Sequence, residues 1–368
     1  MATPIRLGFV GLSTAGWASR DLAPPLFKSP LSSKYSLVAL STSRAESAEV
    51  SAEKYSKLAS EAAGTKVEVK PYHGSAEHIA RDKDVDMVAV SINVIDQATV
   101  ASKIIDGGKN LFIEWPAGNR LEDTKALYDA AKAKGIKTAV GLQLRFSHFV
   151  PKVKSIIESG GLGKIVSSDF HVFANFGTVF PPIVQYLINP STGAGPLDII
   201  AGHSFDLFMH VLGPLASFSA VAKNQLPLVS IGDSNWIPTG ETVPQGKPTQ
   251  YCVSGILTSG ATFNLHLEAG VSETGFTWVI QGEKGRVRIT DVSETEPWKS
   301  QPFALPARIY HNGQRVELPA EENRSGLLWE AIADGKEEMY ATLEQAVKIK
   351  ELLREVLRSS EEGRRIDL

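Results

Sequence analysis

Glu114-Trp115-Pro116 ends the apolar run Leu111-Phe112-Ile113. A strand that stops at a carboxylate and an X-Pro bond delivers those residues to the rim of a site. Glu114 can hold a hydroxyl or exchange a proton. Trp115 cannot move a proton at neutral pH, and offers one indole N–H donor and a large apolar face. A second stretch with chemical meaning is Gly11-Leu12-Ser13-Thr14-Ala15-Gly16, directly after the apolar run Ile5 to Val10. It matches the dinucleotide fingerprint G-x-G-x-x-G except that Ser13 stands at the middle glycine, which normally lets the backbone approach a pyrophosphate. Backbone N–H groups at a helix start can still hold a phosphate; a plain strand–helix turn is the other reading. Trp17 follows the loop and either lies over a dinucleotide or packs in a core.

The next strand ends in Leu40-Ser41-Thr42-Ser43-Arg44. An NAD-specific site usually places an acid here for the ribose hydroxyls. This chain has hydroxyls from Ser41, Thr42 and Ser43 and a guanidinium from Arg44, which suit a 2′-phosphate. The expected cofactor is therefore NADP(H), with NAD(H) left open and a solvated Arg44 as the alternative.

These residues need a scaffold. Strand patterns at Ile5 to Val10, Tyr35 to Leu40, Met87 to Ile92, Leu111 to Ile113 and Thr138 to Gly141 alternate with helical ones, notably Ala45 to Ala63 and Leu121 to Lys134. Such alternation predicts parallel strands joined by right-handed crossovers: an α/β Rossmann domain with a doubly wound sheet, over 1–148. Gln143 and Arg145 follow its last strand at the rim where ligands bind in such sheets. An α+β domain over 149–368 follows, with a large, mostly antiparallel sheet. Its strands are predicted at Ile165 to Phe173, Phe218 to Lys223, Tyr251 to Leu257, Thr262 to Glu268, Thr277 to Gln281 and Arg286 to Thr290. Residues 262–268 alternate strictly, as a half-buried strand does. The stretch 227–248, rich in Gly, Pro and Ser, is predicted irregular, and a last helix starts at Thr342 with Gln345 completing a capping box.

Composition narrows the function. The 368 residues are 43% hydrophobic with a net charge of −3, and no long basic run offers nucleic acid an electrostatic grip. The single Cys252 excludes an internal disulfide and fits a reducing compartment. No run of about 18 apolar residues spans a membrane, and the N-terminus lacks a signal peptide's basic and cleavage regions. A cytoplasmic protein is expected. His73, His78, His148 and His171 show no metal-ligand spacing, so no metal is expected.

Several stretches carry a family resemblance. "VDMVAVSINVIDQATVASKIIDGGKNLFIEWP", "VGLQLRFSHFVPKVKSIIESGGLGKI", "GAGPLDIIAGHSFDLFMHVLG", "GEKGRVRI" and the closing "LEQAVKIKELLREVLRSSEEGRRIDL" resemble the glucose–fructose oxidoreductase/inositol dehydrogenase/MocA family nearly end to end. "IRLGFVGLSTAGWAS" and "IEWPAG" are most similar to its fungal galactose-regulon repressor branch, which also contains members regarded as oxidoreductases. The resemblance implies dinucleotide contacts from Gly11, Ser13, Thr14, Ala15, Ser91, Ile92, Asn93, Gln97 and Glu114. It implies a substrate pocket drawn from Trp115, Gln143, Arg145, Asn175, Tyr186 and Asp206. It also implies a homodimer through the antiparallel sheet, with a regulatory protein partner and a nuclear location under the repressor-like alternative.

The departures concern proton transfer. In the family's dehydrogenases a lysine after the glutamate, then an Asp and a His on one helix turn, handle the reacting hydroxyl. Trp115 stands at the lysine position and Ile199 at the aspartate position, while His203 is retained. Asp198 is one residue off, about 100° around a helix. His203 is then the remaining general acid or base, its alternative being a structural histidine on a buried helix. The expectation is an NADP(H)-dependent oxidoreductase acting on a small carbonyl or alcohol. The alternatives are a repressor-like sensor that keeps its dinucleotide, or a non-redox enzyme reusing the fold.

Overall fold

The computed structural model describes residues 3–189, 192–193, 195–291, 307–320 and 323–368. The chain divides into two compact units: Met1–Phe146 with Glu322–Lys348, and Ser147–Glu321 with Ile349–Leu368. Residues 322–348 thus return to the first unit, a crossover that a linear boundary at 148/149 does not contain.

The first unit is built on six strands: β1 (Ile5–Val10), β2 (Tyr35–Thr42), β3 (Lys70–His73), β4 (Met87–Val90), β5 (Asn110–Glu114) and β6 (Thr138–Gly141). They pair in parallel in the order β3-β2-β1-β4-β5-β6. This is the doubly wound order, and its reversal between β1 and β4 opens a crevice at the strands' carboxyl ends. β3 went unpredicted because Lys-Pro-Tyr-His is polar and contains a proline, which only an edge strand tolerates. The segment after β1 also differs from expectation. Instead of one helix it forms three short turns, Ala18–Leu22, Pro24–Phe27 and Leu31–Lys34, because Pro24 and Pro25 cannot continue a helix. The core closes on the helix Arg324–Ala333. Its Trp329 ring lies 4.6 Å from that of Phe112 and 5.5 Å from that of Tyr35, and its indole N–H donates to the Leu22 carbonyl at 2.9 Å.

The second unit carries a nine-stranded sheet. Its strands are β7 (Ile165–Ala174), β9 (Leu215–Lys223), β12 (Gln250–Leu257), β13 (Thr262–Ala269), β14 (Gly275–Gly282), β15 (Arg286–Thr290), β16 (Arg308–His311), β17 (Gln314–Val316) and β18 (Ile366–Asp367). Every pairing is antiparallel except β7 with β13. One face is buried under the helix Pro196–Leu212, where the Phe208 ring lies 5.6 Å from Phe263 and 6.0 Å from Phe170. The other face is half-exposed, as the alternation of residues 262–268 requires. The stretch expected to be irregular is instead ordered into β10 (Leu228–Gly232) and β11 (Pro238–Pro244), which with β8 (Val179–Phe180) form a small separate sheet. Its cross-strand partners supply what its Gly, Pro and Ser composition concealed. The last helix is Leu343–Glu362, and Gln345 accepts from the Thr342 backbone N–H at 2.9 Å, closing its start. Among the described residues no helix is long and apolar enough to cross a membrane.

Candidate functional site

The candidate residues of the first unit lie at and beyond the carboxyl ends of the parallel strands. Gly11, just beyond β1, has φ +92°, and its N–H donates to the Ser41 carbonyl at 2.9 Å. A Cβ on Gly11 would stand 2.1 Å from the Ser91 carbonyl oxygen, so only glycine lets the β1 and β4 ends approach across the crevice. Gly16 also has positive φ, with open space where a Cβ would be. Ser13 needs no such freedom, since its φ is not positive. Its hydroxyl donates to the Ala15 carbonyl at 2.5 Å and accepts from the Ala15 N–H at 3.3 Å, folding the loop on itself. Tyr55 and Lys54 hold the loop from the helix Ala45–Ala63, donating to the carbonyls of Ser13 (3.1 Å) and Thr14 (3.4 Å). The departure from the glycine fingerprint is therefore absorbed locally, and Thr14 and Ala15 remain exposed.

At the end of β2 the candidate residues part company. Ser41 and Thr42 are buried, and the Thr42 hydroxyl donates to the Arg44 carbonyl at 3.0 Å. Ser43 and Arg44 are exposed, and Arg44 makes no ion pair among the described residues. Beyond β4, Asn93 caps the helix Val94–Asp106 by accepting from the Ile95 N–H at 3.0 Å. Gln97 is buried; it accepts from the Gly118 N–H at 2.9 Å and donates to the Ile92 carbonyl at 3.4 Å. It ties the Ser91–Asn93 turn to the turn after Pro116.

Glu114 is the centre of this arrangement. Its Oε1 accepts from the Gln143 side chain at 2.9 Å and from the Trp17 indole N–H at 3.3 Å. Its Oε2 occupies the space beside Gly141, its partner in the β5–β6 register, where a Cβ would stand only 2.4 Å away. Removal from water pushes the carboxyl up to about 8; the two hydrogen bonds oppose this, and nearby Asp21 adds to it. Glu114 is thus largely protonated at neutral pH, a state its sequence context did not reveal. Trp17 keeps 48% of its surface exposed, so it is no core residue: it bridges the phosphate-loop side of the crevice to Glu114. Trp115 is only 6% exposed, and its indole N–H is a buried donor with no partner among the described residues. Arg145 follows Gln143 in the short turn Gln143–Phe146 and is half-buried.

The second unit holds the remaining candidates. His203 and Asp206 lie three residues apart on the helix Pro196–Leu212, Asp206 buried and His203 half-buried. Ile199, one turn before His203, packs with Tyr186 on the apolar cluster of Phe180, Leu187 and Val229. Asp198 serves structure: it accepts from the Gly195 N–H at 2.7 Å as the helix cap and from the Tyr251 hydroxyl at 2.7 Å. Asn175 is held through Thr274, whose hydroxyl accepts from its N–H and donates to its side-chain oxygen, both at 2.9 Å. His171, assigned no role from its spacing, hydrogen-bonds Glu268 at 2.7 Å, a meeting of two strands that no local pattern announces.

Comparison with known proteins follows the same division. The model of the oxidoreductase family with NAD-binding Rossmann fold (GFO/IDH/MocA) matches residues 5–142, and that of the Gal80p C-terminal domain matches residues 149–291. The dehydrogenase aclE of Aspergillus oryzae is 29% identical over 99% of this chain and 98% of its own length. The galactose/lactose metabolism regulatory protein GAL80 of Saccharomyces cerevisiae is 26% identical over 70% of this chain; the match spans 59% of that regulator. Among solved structures, a super-repressor mutant of Gal80p from Saccharomyces cerevisiae superposes with a TM-score of 0.85 at 21% identity, covering 99% of this chain and 98% of that one. Levoglucosan dehydrogenase in complex with NADH and L-sorbose gives 0.75 at 18% identity, covering 100% and 99%. At these identities the structural likeness establishes the fold. Two successive family models and a doubly wound sheet agree: the chain resembles the GFO/IDH/MocA oxidoreductase family over its first unit and the Gal80-like branch over its second.

Proposed function

We propose that this chain binds a nicotinamide dinucleotide, NADP(H) in preference to NAD(H), and acts as an oxidoreductase on a small carbonyl or alcohol. The observation that carries the reading is the switch point between β1 and β4, where Gly11 lets the loop after β1 pass closely against the Ser91 carbonyl at the strands' carboxyl ends. The residues fit such a group. The Gly11–Gly16 loop offers backbone N–H groups, Arg44 and Ser43 stand exposed for a 2′-phosphate, and Trp115 holds a buried donor without an acceptor among the described residues. Bound there, the cofactor supplies or takes up hydride. The chain's own part is to orient and to move protons. In the first unit Trp17 and Gln143 fix Glu114, and Trp115 and Arg145 shape the pocket; in the second, His203 with Asp206 three residues on carries the acid–base role.

A second reading is favoured by Trp115 and Ile199, which occupy two of three expected proton-handling positions, and by the likeness to Gal80p. In that reading the dinucleotide is a sensed ligand, the partner is a regulatory protein, and the compartment includes the nucleus as well as the cytoplasm. Both readings use the half-exposed face of the nine-stranded sheet as a homodimer surface.

Titration calorimetry with NADPH and NADH tests the cofactor. NADPH binds more tightly, and Arg44→Ala removes a charge-assisted contact of about 1.5–3 kcal/mol, lowering NADPH affinity ~10- to 150-fold while sparing NADH. Equal affinities that Arg44→Ala leaves unchanged refute the NADP(H) reading. Turnover of polyols, sugars or small ketones separates enzyme from sensor.

A further inference from the structure

The half-exposed sheet face carries a cluster that the dinucleotide site does not use. β7 and β13 are parallel neighbours, and their register sets His171 directly opposite His266. Glu268 follows His266 by two residues and so projects from the same face. The two imidazole rings stack at 4.8 Å with planes 5° apart. His171 Nε2 lies 2.7 Å from Glu268 Oε1, and His266 Nδ1 lies 3.5 Å from the same oxygen. One ligand atom from each of the three residues falls within 4.8 Å of the others.

We propose that His171, His266 and Glu268 bind a divalent transition metal, with Zn²⁺ the best fit, as a three-ligand site that leaves one coordination position open. Two imidazole nitrogens and a carboxylate oxygen are the borderline donors that such ions prefer, whereas Mg²⁺ and Ca²⁺ require a shell of oxygens. In a tetrahedral zinc centre with bonds of about 2.0–2.1 Å, ligand atoms stand about 3.4 Å apart. The two separations to Glu268 Oε1, 2.7 and 3.5 Å, bracket that value and all three ligand atoms lie within 4.8 Å of one another, so side-chain rotations that draw the two imidazoles together insert the ion.

The surroundings are those of a built site. Gln250 on β12 donates to the other carboxylate oxygen of Glu268 at 3.3 Å, which leaves Oε1 directed at the histidines. The Phe173 ring packs 5.1 Å from that of His171 and restricts its rotation. All three ligands stand on strands of a central sheet, not on loops, so little ordering remains to be paid on binding. In the single chain their side chains keep 43%, 39% and 17% of their surface exposed, so an ion reaches them from solvent before a second copy covers this face. Cys252 is paired with His266 across the β12–β13 register but lies outside the group of three ligands.

The test uses untagged, chelator-treated full-length chain titrated with Zn²⁺ by calorimetry and with Co²⁺ as a visible-absorption probe. One ion binds per chain, and Co²⁺ develops the d–d bands of a low-coordinate site. His171→Ala, His266→Ala and Glu268→Gln each weaken binding at least ~10-fold, while Cys252→Ser leaves it unchanged. Circular dichroism confirms that each variant is folded, and Zn²⁺ raises the unfolding temperature of the wild type but not of His171→Ala. Absence of stoichiometric binding overturns the proposal. So does binding that survives His171→Ala and Glu268→Gln, or binding that Cys252→Ser alone abolishes. The titration is run at a concentration where sedimentation shows the chain to be monomeric, so its outcome is separate from that of the homodimer reading.

Discussion

Replacing Glu114 by glutamine isolates the energetic cost of ionising that carboxyl. In the folded protein desolvation pushes it up to about 8 from an ordinary 4.5. As pH rises past about 4.5, the unfolded chain releases this proton while the folded chain retains it. Stability attributable to Glu114 is therefore fully present below about 4.5, declines as pH rises, and is lost once pH passes about 8. At about 1.4 kcal/mol per pH unit the ceiling is ~5 kcal/mol; the carboxylate's partial exposure reduces the expected effect to ~2–3 kcal/mol. Glutamine mimics the protonated form, because its amide oxygen can accept from both Trp17 and Gln143 as Oε1 does. Urea unfolding of wild type and Glu114→Gln from pH 5 to 9 measures the difference. The two are near equal at pH 5, and the variant becomes the more stable by ~2–3 kcal/mol at pH 9, with the change complete near pH 8. Parallel curves across this range, or a wild type that gains on the variant as pH rises, refute the reasoning that Glu114 is held protonated by its surroundings.

Other outcomes follow from the same geometry. Gly11→Ala forces a Cβ to within 2.1 Å of the Ser91 carbonyl at a φ of +92°, and lowers stability by about 1–3 kcal/mol in chemical denaturation while weakening cofactor binding in calorimetry. Gly141→Ala drives the Glu114 carboxylate from its seat 2.4 Å from the new Cβ; the pH dependence of stability flattens, and Trp17 fluorescence changes as its indole loses its acceptor. On whatever substrate turns over, His203→Ala lowers kcat by about 10²–10⁴-fold, whereas Trp115→Phe chiefly raises KM; wild-type kcat in His203→Ala removes it from proton transfer. Trp115→Lys does not restore dehydrogenase activity by itself, since Ile199 still lacks a carboxylate; recovery in steady-state assays counts against that account.

Local patterns determined much of this molecule. The alternation of apolar runs with helical stretches encodes the parallel sheet, because each crossover is a local event with its own caps and breakers. Gly11 and Gly16 mark the ligand crevice because few residues besides glycine occupy those backbone angles readily. Tertiary structure decided what depends on neighbours distant in sequence. β3 becomes a strand only because β2 supplies its partner, and β10 with β11 orders a stretch whose composition reads as loop. Glu114 acquires its raised pKa from removal from water in the packed tertiary structure, which outweighs the lowering hydrogen bonds from Trp17, 97 residues earlier, and Gln143, 29 later. Asp198 looks like a displaced catalytic acid in sequence but is held as a helix cap by Tyr251. His171 meets His266 and Glu268 only because β7 and β13 pair in parallel at one register; a shift of a single residue would turn the side chains of one strand to the opposite face of the sheet.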